Sequence, residues 1–466
     1  MKTLRHSRPS VVMGNDDPSI TPTAGLILTR EVDRVLSVVA TIDDHVGELK
    51  ARRRGLSAGE AVMGMAEAML AGADFMSDLD HFRADGAGAR LRAVAAPPAS
   101  TTFASLARRF DDVALSDLEG SFQALVGNWF AALCPARRAT LSAERPTIDL
   151  DPTDVEVYGT KKDGVAWNHA GARVGRPHPA VWAEAGVVLA ADLGSGTSDP
   201  RTQAPALIGR AVAGLPGGLR RPIVRTDSGF FSAEVAKAAL GAGADFAIAA
   251  KRNEAAWRAE RDVEESSWVK ARGMEAEVAE CDYRPGGWPE GTRCVLRRVK
   301  VDQANHRSDP RSRRRRTIDP DQLVLLEAGG EVQAYAYSFI LTNLAGTPID
   351  IEEMFRGRAL VEERIKESKC GMALRHLPSG FASVNAVWSF AAFLAVNLSV
   401  FCQSLGGVDS SGRAHAKRAR RELFCVPARV LFRGRRLVLR LAPGHRRGSF
   451  LSAWEHLRAL PSFSGP

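Results

Sequence analysis

The spacing of apolar residues along the 466-residue chain changes near Thr147 from helical to mixed, and this change restricts the fold more than any other feature. Before it, helical spacing runs through "EVDRVLSVVATIDDHVGELK" (31–50), "SAGEAVMGMAEAML" (57–70) and "SDLEGSFQALVGNWFAAL" (116–133). The last two open on apparent capping boxes, Ser57 with Glu60 and Ser116 with Glu119. "GAGARLRAVAAPPASTT" between them reads as a linker. Residues 25–140 are therefore expected to be all-helical, behind a flexible tail, 1–24.

After Thr147 the period shortens to that of strands. "TIDLD" (147–151) predicts a strand, "PAVWAEAGVVLAADL" a hairpin turning near Glu184 to Gly186, and "PALIGRAVAGL" a helix. "PIVRTDSG" and "ADFAIAAK" follow as strands. The expectation is an α/β core over 141–251 and 336–405. It is interrupted at 252–335 by a β-rich insertion with strand-like "TRCVLRRVKV" and "DQLVLLEA" around the basic loop "NHRSDPRSRRRRTIDP". "AYAYSFILTNL" returns the chain to the core as a strand. The nearly uncharged Ala386 to Cys402 reads as a buried core helix, being short of the roughly 20 apolar residues of a membrane span.

The charge is uneven. The chain carries a formal +9, and residues 405–466 hold 13 Lys/Arg against Asp409, Glu422 and Glu455. A basic C-terminal region (406–466), with an Arg-edged hairpin around Arg433-Gly434, favours a polyanionic partner. The six cysteines form no C-x-x-C pair, which argues against zinc and a disulfide scaffold and fits a cytoplasmic protein. Cys370 and Cys402 read as packed thiols. The opening residues "MKTLRHSRPSVV" are basic and read as holding no apolar run long enough for a secretory signal.

Three acids stand at element ends: Asp151 after one strand, Asp227 after another, and Glu362 in "EEMFRGRALVEERIKESKCG" (352–371). If that last run is one helix, Phe355, Arg358, Glu362 and Lys369 share a stripe, because their offsets of 0, 3, 7 and 14 residues fall within roughly 60°. Converging carboxylates repel unless cations neutralise them. Acids without His or Cys partners suit Mg²⁺, and two such ions about 4 Å apart can serve phosphodiester transfer. Asp149 alternates by two with Asp151, so either could be the first acid.

"DLDPTDVEVYG", "VRTDSGFFS" and Phe355-x2-Arg358-x3-Glu362-x6-Lys369 resemble the three acidic motifs of bacterial insertion-sequence transposases of the DDE type. The likeness is to group 1, in the branch with a Tyr-x2-Arg-x3-Glu-x6-Lys signature and a β-rich insertion before the Glu. The resemblance covers roughly Thr147 to Leu405 and implies a ribonuclease H-like catalytic core, with the first Asp on the first strand and the second after the fourth. It implies that Asp151, Asp227 and Glu362 hold two Mg²⁺ ions, with Mn²⁺ able to substitute, and that Arg358 and Lys369 grip phosphates of the transposon end. It favours Asp151 over Asp149, through Asp151-Pro152-Thr153. Phe355 stands where Tyr is usual, and Pro152 where Ser is usual.

On this reading the partners are transposon-end and target DNA, with a homodimer in the synaptic complex and no membrane. Residues 25–140 and the basic tail would bind DNA, and Lys161, Lys162, Arg173 and Arg176 would track its backbone. One of Trp257, Trp268 and Trp288 is a candidate to stack on an extruded base, against a default of packing. His169, His178 and His376 read as structural or DNA-facing, and Arg313 to Arg316 as a solvated loop. Two alternatives stay open: a structure-selective ribonuclease H-like nuclease, and a relative that binds DNA without cutting it. A paired-carboxylate glycosidase fits less well, since phosphate-gripping bases suit a polyanion.

Overall fold

In the computed structural model, residues 13–14, 16–50, 55–301, 317–327, 333–358, 371–408, 415–444 and 447–463 are described. Ser57 starts the helix Ala58–Ala71 as its sequence predicts. Its hydroxyl accepts the Glu60 amide at 3.1 Å, and the Glu60 carboxylate accepts the Ser57 amide at 2.8 Å. Ser116 does not play that part. The helix there runs Asp112–Ala132, because Asp111 offers its carboxylate to the Ala114 amide at 2.9 Å and starts the helix earlier. Glu119, freed from capping, reaches the Ala191 amide at 3.0 Å and Arg210 at 3.2 Å.

The described residues from Ala24 to Ala143 form helices and their connections. The strands are β1 (Ile20–Thr21), β2 (Thr147–Leu150), β3 (Val155–Glu156), β4 (Ala166–Trp167), β5 (Arg173–Trp182), β6 (Val187–Ser195), β7 (Ile223–Thr226) and β8 (Asp245–Ala249). They continue as β9 (Val269–Lys270), β10 (Glu277–Cys281), β11 (Arg293–Lys300), β12 (Tyr335–Thr342), β13 (Ala428–Arg433) and β14 (Arg436–Leu441). One large mixed sheet has the order β3-β5-β2-β7-β8-β12-β11-β10-β9, with β6 and β4 also on β5. Within it β2, β7 and β8 are parallel, and β5, β6 and β12 are antiparallel to their neighbours.

The strands expected to form an insertion, β9 to β11, extend this same sheet through β12. "DQLVLLEA" is not a strand: Pro320–Glu327 is helical, since Pro320 supplies a preset φ and Asp319 accepts the Asp321 amide at 2.8 Å.

The apolar run forms the helix Ala382–Leu405, which is long and apolar enough by composition to cross a membrane. Its most apolar window is instead 94% buried, packed by the helices Ala58–Ala71 and Asp112–Ala132 and by β6. Inside that core Asn397 replaces a missing strand partner. Its Nδ2 donates to the Val188 carbonyl at 2.9 Å and its Oδ1 accepts the Val188 amide at 2.7 Å, so both backbone groups of Val188 are paired.

Described segments near both ends of the chain come back to this core. β13 pairs with β1, so residues expected to belong to a loose tail are hydrogen bonded, and Thr21 is fully buried. The helix Arg447–Ala459 packs beside Ile27–Leu36, where Arg34 donates to the Leu457 and Leu460 carbonyls at 2.8 and 2.9 Å.

Candidate active site

Strands β2 and β7 lie side by side in parallel register, Leu150 opposite Thr226. Each ends there, and the next residue of each is an acid, Asp151 and Asp227. The Asp227 side chain accepts the Gly229 amide at 2.8 Å and caps the short turn Ser228–Phe230. One register step back, Asp149 sits opposite Arg225. Arg225 Nε and Nη2 donate to the two Asp149 oxygens, both at 2.7 Å, with Asp149 fully buried and Arg225 4% exposed. Burial pushes the Asp149 carboxyl up and the guanidinium pulls it back. Both oxygens of Asp149 are thus committed to Arg225, whereas Asp151 points to a third element.

That element is the helix Pro348–Arg356, started by Thr347 and Asp350 in a reciprocal capping box with Pro at N1. It buries Ile351 and Glu352 against β10 and β11. The sequence reads as one helix as far as Lys369, but the described helix stops at Arg356. Two contacts accompany the stop. Arg225 Nη1 donates to the Met354 carbonyl, and Gly357 lies so close that a Cβ there would stand 2.8 Å from the same nitrogen. The Arg358 amide then turns back to the Phe355 carbonyl at 3.0 Å. Glu362 and Lys369 lie outside the described residues.

Arg358 Nη2 is 3.0 Å from Asp151 Oδ1 and 4.0 Å from Asp227 Oδ2. The residue expected to grip phosphate therefore faces the acids. Phe355 packs beside an apolar cluster of Ile223, Ala247, Val295 and Ile340. Arg225 is the residue that sequence reasoning missed: it ties β2, β7 and the helix Pro348–Arg356, the elements that present Asp151, Asp227 and Arg358. The signal was available as Asp149 and Arg225 each standing two residues before an acid.

The other expected DNA contacts divide. Lys161 is exposed. Lys162 donates to the Leu377 carbonyl, Arg173 to the Gly159 carbonyl, and Arg176 to Asp154 at 2.6 Å and to the Ser198 carbonyl at 2.7 Å. Trp257 is buried against Tyr337 and Phe339, Trp288 packs on Phe231 and Phe246, and Arg298 covers Trp268 at 4.2 Å. Tyr158 and Trp167 are exposed aromatics lining an open cleft of about 720 Å³ that the sequence did not suggest. His178 is buried against Phe230, and burial brings its pKa down to about 4. His376 stacks on Phe75.

Two carboxylates within 4.0 Å of one cationic nitrogen form a site made to hold positive charge, and their hard oxygens suit a divalent ion. Among the described residues no cluster of three or more His, Cys, Asp or Glu that could hold a metal ion forms. Among curated proteins none matches the chain. A cryo-EM structure of a piggyBac transposase synaptic complex with hairpin DNA aligns over 86% of this chain and 79% of that one. The identity is 10% and the TM-score 0.39, a likeness that decides neither the fold nor the function. The family profile described as transposase DDE domain group 1 matches residues 4–308 and 319–462. By that match, which spans nearly the whole sequence, the chain belongs to the group 1 family of DDE-domain transposases.

Proposed function

We propose that this chain binds the terminal inverted repeats of its own element, cleaves at the ends and joins the freed 3′-hydroxyl to target DNA. The observation that carries the proposal is the meeting of Asp151 and Asp227, at the ends of adjacent parallel strands, around Arg358. The ribonuclease H-like reading is supported by the order β6-β5-β2-β7-β8, in which the first acid follows the first long strand and the second acid the fourth. Asp151 and Asp227, with Glu362, would hold the divalent ions, Mg²⁺ or Mn²⁺. Such ions would supply the Lewis acidity that in-line phosphoryl transfer needs.

The chain's own residues prepare this. The Asp149–Arg225 pair holds both strand ends at one height. Arg358 lies between the two carboxylates and offsets part of their charge until a ligand arrives, and it is then a cation placed to meet an incoming phosphate. The helical region, Lys161 and the basic C-terminal region would bind DNA, with a homodimer pairing two ends in the cytoplasm.

The test is an end-cleavage and strand-transfer assay on paired element ends with Mg²⁺. Joined product is expected. Cutting without joining would replace the proposal by a structure-selective nuclease, and binding without cutting by a catalytically decayed relative. Mn²⁺ binding measured by calorimetry gives a second readout: it should weaken strongly in Asp227→Ala, and unchanged binding would remove Asp227 from the metal site.

A further inference from the structure

The β13–β14 hairpin carries an arrangement that folding alone does not explain. Its register sets Arg433 opposite Arg436 and Arg429 opposite Arg440, so one face has two like-charged pairs, with Leu431 and Val438 between them. Like charges directly opposite each other weaken a sheet. Arg429 is relieved by Asp17 at 2.8 Å, but among the described residues no acid pairs with Arg433, Arg435, Arg436 or Arg440. Nor is one near in sequence, for no Asp or Glu occurs between Glu422 and Glu455.

The opposite face anchors the hairpin at its base only. Ala428 and Val430 are buried, whereas Phe432 and Leu437 near the tip are 65% and 37% exposed. The ribbon therefore projects beyond the core. Gly434, with φ of 58°, makes the tight two-residue turn that places Arg435 at its end.

Arginines on an outer strand can simply prevent edge pairing. That would account for Arg436 and Arg440 on β14 and, because β1 covers β13 only at its base, for Arg433 on the open end of β13, but not for Arg435 in the turn. A ligand with closely spaced negative charges accounts for all four. A two-stranded ribbon fits the major groove of duplex DNA, and guanidinium groups bind phosphate oxygens in pairs.

We propose that the β13–β14 ribbon is a duplex-DNA clamp whose Arg433, Arg435, Arg436 and Arg440 contact backbone phosphates without reading sequence. This rests on the reading above that the chain acts on DNA, and it names one surface that would do the holding.

The experiment measures binding of the full-length chain to a labelled random-sequence duplex by fluorescence anisotropy over a range of salt. Each lost phosphate contact lowers the slope of log affinity against log salt by about 0.9, so changing all four arginines to Gln should lower it by roughly 3 to 4. Affinity should fall by more than about tenfold. Changing the four to Lys should keep most of the slope. Arg435→Glu, in the exposed turn, should weaken binding without altering the melting temperature, which guards against misfolding of the fourfold variant. A folded Gln variant with the wild-type slope overturns the clamp, and if that variant also self-associates, the arginines serve edge protection instead. In that outcome DNA binding by the wild type leaves the transposase reading standing, whereas a wild type that binds no duplex at all removes both.

Discussion

Two buried carboxylates, one in each half of the molecule, solve the same problem differently. Glu67, on the helix Ala58–Ala71, is fully buried and accepts hydrogen bonds from Thr29 Oγ1 at 2.5 Å and from the Ala93 and Val94 amides at 2.9 and 3.3 Å. Burial pushes its pKa up to about 7, against those bonds and the nearby charge of Arg92. Asp149, in the sheet, is equally buried and is held by Arg225 through both oxygens. The helical half uses an acid that can take up a proton to clasp a loop. The sheet half buries a second charge, which is costly unless the geometry is good and its removal leaves something unpaired. What it gains is placement of the two following acids, so the comparison separates a carboxylate that supports packing from one that supports a site.

The largest effect expected from breaking that comparison is on activity. Asp151→Ala or Asp227→Ala should take cleavage and joining below detection while leaving the unfolding midpoint nearly unchanged, since both side chains reach solvent at 19% and 41%. Cutting by either purified variant would sink its assignment.

Next comes stability. Asp149→Ala should cost about 3–5 kcal/mol in urea unfolding, because Arg225 is left charged and unpaired in the interior. The double change Asp149→Leu with Arg225→Met should recover much of that stability without recovering cleavage. Recovered cleavage would show that the pair does not position the acids.

Smaller, and sharper as a contrast, is the pH dependence. Glu67 has a folded pKa above its ordinary 4.5, so its contribution is complete below about 4.5 and is lost as pH rises through about 7. His178, in the sheet half, has a folded pKa near 4, below its ordinary 6.5. Its contribution is complete above about 6.5 and is lost as pH falls through about 4. Melting temperatures from pH 4 to 8 should show Glu67→Gln flattening the fall on the alkaline side and His178→Leu the fall on the acid side. Swapped or absent effects would refute the assignment.

The smallest predicted change is Ser57→Ala, at about 1 kcal/mol, from loss of the helix cap; a change within error would mean that Glu60 alone suffices.

Features built from neighbouring residues were legible in advance: the Ser57 cap, the strand that ends just before Asp151, the hairpin at Glu184 to Gly186 and the turn at Gly434. The misreadings share a cause. Ser116 looked like a cap until Asp111, five residues upstream, took the role. "DQLVLLEA" has strand-forming residues, but Asp319 and Pro320 start a helix. The run from Glu352 reads as one long helix, yet the described part ends where Gly357 meets an arginine from β7. Arg173 and Arg176 carry partners that their neighbours in sequence did not announce, carbonyls for both and Asp154 for Arg176.

By itself, then, the sequence determined what depends on local chemistry: helix starts, strand periods, turns, the buried apolar helix and the two acids at strand ends. Only the tertiary structure decided that Asp149 and Arg225 consume one another, that Arg358 faces Asp151 and Asp227, that β9 to β11 extend the main sheet, and that the basic end folds back onto β1. The physical reason is that register between distant strands, and the burial that follows from it, set which charged groups meet. Asp149 and Arg225, 76 positions apart, each stand two residues before an acid, but only the parallel register of β2 and β7 makes them partners.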